Sequence, residues 1–136
     1  MGSKLSVLLT EPNQKNSLGI ARSLGSKNIN IFFISKNKYD QSNFSKYCKG
    51  VLDIKKKEYD KNLIRDFIVK NKIDLVIPVG TESTIFFSKN LNFFENYTKF
   101  FVPYPHQLEK TLSKISTLKI SEKLGIPFPK TIFPKT

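Results

Sequence analysis

The sequence predicts an α/β fold, a Rossmann-like, doubly wound and mostly parallel five-stranded sheet with helices on both faces. Three observations lead there. Short apolar runs alternate with amphipathic segments, the pattern of strands buried on both sides and joined by crossover helices. The 136 residues supply one ordinary core, with 39% apolar residues and twelve Phe, and leave no bulk for a second full domain. Polar and turn-forming residues follow the apolar runs, as in Thr10-Glu11-Pro12-Asn13 and Pro78-Val79-Gly80-Thr81-Glu82.

Leu5 to Thr10 predicts the first strand. Ser17 to Lys27 then places Leu18, Ile20, Ala21 and Leu24 on one helical face, with Gly25 where a helix stop belongs. Ile29 to Ser35 is the second strand. The mostly polar Lys36 to Lys49 reads as a loop with a short helical turn, anchored by Tyr39, Phe44 and Tyr47. Gly50 to Ile54 is the third strand. Tyr59 to Lys72 repeats the helical device, with Leu63, Ile64, Phe67 and Ile68 as its buried stripe. Asp74 to Val79 is the fourth strand, Glu82 to Lys89 a helix, Phe100 to Pro103 a short fifth strand, and two further helices fill Pro105 to Leu124. The Phe-rich stretch from Phe86 to Phe101 fits core, a dimer surface or a contact with another lobe.

The net charge of +12 invites a nucleic-acid reading, since basic surfaces release counterions from phosphate backbones. Its make-up argues against one. Only Arg22 and Arg65 among the 23 basic residues are arginine, and the lysines are scattered along the chain, whereas phosphate and base recognition favours the arginine fork. The lysine run Lys55-Lys56-Lys57 reads as a solvated cluster. No stretch approaches the roughly 20 apolar residues of a membrane span, and the start carries no long apolar signal region. Cys48 is alone and has no internal disulfide partner. The expectation is a cytoplasmic protein with no membrane partner.

In a doubly wound sheet, ligands gather outside the carboxyl ends of the strands near the switch point. The loop after the first strand, TEPNQKNSLG, holds one glycine only, which argues against the G-x-G-x-x-G approach to a dinucleotide pyrophosphate. No phosphate-loop motif is present. A receiver-type signalling domain would use Asp53 as phosphoacceptor and Thr81 as switch hydroxyl. It would also need an acidic pair after the first strand, where this chain offers Glu11 alone, and a Lys-Pro where it has Val102-Pro103. His106 is the single histidine, so no histidine cluster forms. Cys48 lies between Lys46 and Lys49, which could lower a thiol pKa, yet no catalytic His/Asp pairing is apparent around it, and the expected role is a small half-buried thiol. Gly80 frees the backbone to turn, Thr81 can cap the following helix, and Glu82 sits in its first turn, where it can also meet a polar ligand.

The ordered set TEPNQKNSLGIARSLGSKNINIFFIS, NFSKYCKGVLDI, KNKIDLVIPVGTES and LSKISTLKISEKLGIPFPKT resembles the amino-terminal domain of ATP-grasp enzymes, nearest to relatives of the carbamoyl-phosphate synthase large subunit. The likeness covers essentially the whole chain. It lies in an Ala-Arg-x-Leu-Gly helix end, a Ser-x-Tyr-Cys turn, an Ile-Pro-x-Gly-x-Glu strand end and a helix closing in Leu-Gly-Ile-Pro-x-Pro. The resemblance implies a pre-ATP-grasp domain over 1–112, followed by a helix and linker over 113–136 that lead into ATP-binding lobes outside the chain. It implies ATP and Mg2+ as cofactors of the parent enzyme, neither bound tightly by this fragment, and activation of a small carboxylate as an acyl phosphate for capture by an amine. Lys114 matches the family's lysine that reaches nucleotide phosphate, although Ser113 replaces the acid that commonly precedes it. Glu82 matches an acidic residue on the substrate side, and Glu11, Gly80 and Thr81 complete the candidate substrate surface. The expected function is thus the substrate-side domain of an ATP-dependent carboxylate-amine ligase, inactive alone. Its partners are the missing lobes or a separate chain carrying them, and a homodimer is compatible. The alternatives are a self-contained α/β module for a small ligand or protein, and a basic nucleic-acid-binding domain.

Overall fold

The computed structural model describes residues 4–55 and 57–132. The chain divides into two compact units, Met1–Val102 and Pro103–Thr136. The first holds β1 (Ser6–Leu9), α1 (Lys15–Gly25), β2 (Asn30–Ser35), a 3-10 turn (Gln41–Phe44), β3 (Cys48–Asp53), α2 (Lys61–Asn71), β4 (Leu75–Ile77), α3 (Thr81–Lys89), α4 (Leu91–Phe94) and β5 (Lys99–Phe100). All four strand pairings are parallel, in the order β3-β2-β1-β4-β5. The predicted α/β sheet is therefore present.

Strand alternation sorts the core into two layers. Leu8, Phe32, Ile34 and Val76 pack with Ile64 and Ile68 of α2 and with Phe87 and Phe94. Val7, Leu9, Ile31 and Phe33 form the opposite layer with Ala21 of α1. The Phe-rich stretch is mainly core: Phe87 lies 5.3 Å from both Phe94 and Phe100, ring centre to ring centre, within the range where aromatic pairs attract. Phe101 alone among these points outward, 81% exposed.

The strand order decides one sequence alternative. Receiver-type domains use the order 2-1-3-4-5, whereas 3-2-1-4-5 places the switch point between β1 and β4. Asp53 is the last residue of β3, its carboxylate accepting the Lys55 backbone N–H at 2.8 Å.

Several local expectations are corrected. Leu63, assigned to the buried stripe of α2, is 45% exposed, and the face is carried by Ile64 and Ile68. The helix begins two residues later than expected because Asp60 caps it, accepting from the N–H groups of Asn62 and Leu63. Tyr39 and Phe44 do not anchor the β2–β3 loop, being 70% and 72% exposed. Only Tyr47 packs into the core. Gly25 is the last residue of α1 and not its left-handed stop, a conformation taken instead by Asn28 at φ 67°. What Gly25 provides is space, since a Cβ there would lie 2.4 Å from Cγ of Tyr47.

The second unit holds α5 (Pro105–Leu112) and α6 (Lys114–Lys123). Pro105 opens α5, where its missing N–H costs nothing. Ser113 accepts from the Ser116 N–H to cap α6, and Gly125 ends that helix in the left-handed region at φ 66°. The sequence boundary at residues 112 and 113 falls between these two helices. Among the described residues no helix is long and apolar enough to cross a membrane.

Gly25→Ala should lower stability by about 1–3 kcal/mol, the usual cost of overpacking, because the Tyr47 Cβ itself is in the way and cannot swing aside. Urea denaturation would measure it, and an unchanged midpoint would mean that the β2–β3 loop moves freely away from α1.

Candidate functional site

The site grows from the turn after β1. Glu11 has φ 46°, the left-handed region that non-glycine residues enter at a cost of roughly 1–2 kcal/mol. Its carbonyl accepts from the Ser17 hydroxyl at 2.7 Å and the Gln14 N–H at 2.9 Å, so the turn is held from α1. The conformation aims the carboxylate across the switch point. There Oε1 accepts from the Tyr59 hydroxyl at 2.8 Å, and Oε2 from the Gly80 N–H at 3.0 Å and the Ser83 hydroxyl at 2.8 Å.

A chain of donors continues behind it. With the Ser83 proton given to Glu11, the Thr10 hydroxyl donates to Ser83 Oγ at 2.9 Å, and the Val79 N–H donates to Thr10 Oγ1 at 2.8 Å. Thr10, Ser17 and Ser83 are fully buried, where unmet hydroxyls would be costly. A Cβ at Gly80 would stand 2.7 Å from Cδ of Glu11 and would displace the carboxylate from this position.

Above this floor lies a cavity of about 430 Å³, lined from the strand ends by Glu11, Asn13, Lys36, Asp40, Tyr59 and Glu82, among others. Lys36 Nζ meets Glu82 Oε1 at 2.5 Å and sits 5.2 Å from the Tyr59 ring centre. Both partners of that ion pair are substantially exposed, so the contact contributes little to stability and leaves its charges accessible to a ligand. Asp40 accepts at 2.8 Å from the buried Ser35 hydroxyl. Burial pushes the Tyr59 hydroxyl far above its ordinary value of 10.0, with the charge of Glu11, the hydrogen bond to it and the charge of Glu82 adding to the rise. The lining thus combines an ammonium, carboxylates and side-chain amides, a set suited to holding and orienting a small polar molecule.

Of the sequence candidates, the structure brings Glu11, Gly80 and Glu82 together. Glu11 faces inward on three donors, and Glu82 stands at the rim. Thr81 is exposed as the first residue of α3, and the capping position belongs to Gly80, which corrects its assignment as the cap. Lys114 opens α6 in the second unit and is exposed. Cys48 is a half-buried thiol, and burial pushes its pKa up against the weaker effect of its hydrogen bond to the Gly50 carbonyl. Sequence reading missed Lys36, Tyr59 and the Thr10–Ser83 pair. The available signal was a hydroxyl at the end of an apolar run, as in Leu8-Leu9-Thr10.

These features define a Rossmann-like α/β domain with a polar strand-end cavity. No protein-family model matches the sequence, and no curated protein sequence does. Among solved structures, the chain is similar in fold to the biotin carboxylase domain of a single-chain bacterial carboxylase, with a TM-score of 0.66 at 11% identity. The match covers 91% of this chain and 30% of that one, so the chain spans under a third of its structural neighbour.

The raised Tyr59 pKa carries a sign. The folded state holds the proton more tightly than the unfolded chain, so this contribution is complete below pH 10 and is lost as pH climbs from there towards the folded value. Urea unfolding at rising pH should show stability falling above pH 10, and Tyr59→Phe should flatten that fall while costing about 1 kcal/mol at neutral pH. A Tyr59 that ionises with the exposed tyrosines in an ultraviolet titration would contradict the Glu11 contact.

Proposed function

We propose that this chain is the substrate-side, pre-ATP-grasp domain of an ATP-dependent carboxylate-amine ligase. Its ATP and Mg2+ would be held by lobes that these 136 residues do not contain. The observation that carries the reading is the cavity at the switch point, built from the loops after β1, β2, β3 and β4 on a sheet of order 3-2-1-4-5. Similarity in fold to a biotin carboxylase domain, itself from an ATP-grasp enzyme, supports it. In this reading Lys36 offers the charge for a small carboxylate substrate, and Glu82 and the Glu11 floor fix the polar rim. Lys114, at the start of α6, extends towards nucleotide phosphate as the resemblance implies. Electrostatic neutralisation of the acyl-phosphate step would come from metal and basic residues in the other lobes.

A second reading, a self-contained small-ligand module, is favoured by the completeness of the cavity within the first unit.

Calorimetric titration of the chain with Mg-ATP should give no micromolar binding, and such affinity would overturn the placement of the nucleotide site in other lobes. In the parent protein, Lys114→Ala should raise the KM for ATP by about tenfold, as expected for loss of a charged phosphate contact. An unchanged ATP dependence would leave α6 as a connector only.

A further inference from the structure

A second cavity, of about 570 Å³, lies between α1 and the 3-10 turn and shares no lining residue with the strand-end cavity. Its walls carry Leu18 and Arg22 from α1, and Gln41, Phe44, Lys46 and Tyr47 from the β2–β3 loop. No acid lines it, in contrast to the strand-end cavity with Glu11, Asp40 and Glu82. No hydrogen bond or ion pair ties the Arg22 guanidinium among the described residues, although arginine is the side chain best shaped to grip a planar or tetrahedral anion.

The aromatic side of the cavity is as distinct as the charged side. Tyr47 is fixed by its seat against Gly25, and Lys46 Nζ sits 5.1 Å from its ring centre. Phe44 stands 72% exposed beside them. An aromatic ring left in water at the mouth of a cavity, next to two cations without counter-charges, calls for a ligand that is both flat and negative.

We propose that this cavity binds a small aromatic anion, its ring against Phe44 and Tyr47 and its carboxylate or phosphate on Arg22 and Lys46. The site stands apart from the ligase reading, because none of its residues serves the strand-end cavity. It gives the domain a place to sense or hold a second small molecule on the α1 side of the sheet.

Amide chemical-shift titration of the chain with benzoate, phenyl phosphate, benzyl alcohol and acetate tests this directly. The two aryl anions should bind at least tenfold more tightly than the neutral alcohol or the ringless anion, with shifts centred on residues 18–22 and 41–47. Their order relative to one another tells a carboxylate ligand from a phosphate. Arg22→Gln should weaken both aryl anions about tenfold and leave the alcohol unchanged. Phe44→Ala should weaken the alcohol as well, and both positions are exposed, so the fold survives either change. Acetate binding as tightly as benzoate would reduce the cavity to a basic surface and overturn the proposal. Shifts confined to the strand ends, or no saturable shift at all, would overturn it equally.

Discussion

The carboxylate of Glu11 is the contact on which this structure turns. It gathers donors from three places: the loop before α2 through Tyr59, the β4–α3 turn through Gly80, and the first turn of α3 through Ser83. Without it the buried Gly80 N–H would lose its acceptor, at a cost of about 1–3 kcal/mol, while the Ser83 hydroxyl would keep the Gly80 carbonyl and the Tyr59 hydroxyl would face the cavity. The carboxylate therefore does for the sheet's carboxyl edge what the apolar layers do for its middle. It also explains why the cavity above has a fixed floor while Lys36 and Glu82 at its rim stay in reach of solvent.

The two halves of the sheet are unequally covered, and this follows from the connections. β2 passes to β3 through a 3-10 turn of four residues, where a doubly wound sheet commonly carries a full helix. On that face, among the described residues of the first unit, α1 is the one helix packed in the core layer, and Leu75 and Ile77 are only partly buried. The opposite face receives α2 and the Phe-rich α3 and α4, and it holds the larger cluster. Length explains the difference: residues 36–47 must span the strand ends, and their polar composition gives them no apolar stripe with which to form a helix.

What was legible in the sequence was whatever depends on neighbours along the chain. The short apolar runs Leu5 to Thr10 and Ile29 to Ser35 located β1 and β2, because a strand buried on both faces shows itself in consecutive residues. Gly25 and Gly80 were legible as special, but the reason for Gly25 was misread and that for Gly80 was incomplete. Each makes room for a side chain remote in sequence, Tyr47 in one case and Glu11 in the other, and no local pattern reports what will fill a missing Cβ. The same applies to Tyr59, which reads as a helix residue and is instead held outside α2 by a hydrogen bond across 48 positions. Tyr39 and Phe44 failed in the other direction, since aromatic character predicts burial only when a partner surface exists to receive it.

The turn after β1 shows how a shared fold and a divergent site coexist. Dinucleotide-binding Rossmann domains place glycines here so that backbone can approach a pyrophosphate. This chain enters the left-handed region with Glu11 itself, at a cost of roughly 1–2 kcal/mol, and recovers more than that from three hydrogen bonds to a charged acceptor, each contributing about 1.5–3 kcal/mol. The same geometry sets the Glu11 carboxylate at the switch point while the β3-β2-β1-β4-β5 frame is kept. At 11% identity a backbone of this order can match a biotin carboxylase domain closely, because the sheet constrains hydrophobic period and not the loop side chains. The strand-end cavity is accordingly lined mainly from loops, by Glu11 to Gln14, Lys36, Asn37, Asp40, Tyr59 and Glu82 among others, positions that the hydrophobic period of the sheet does not constrain.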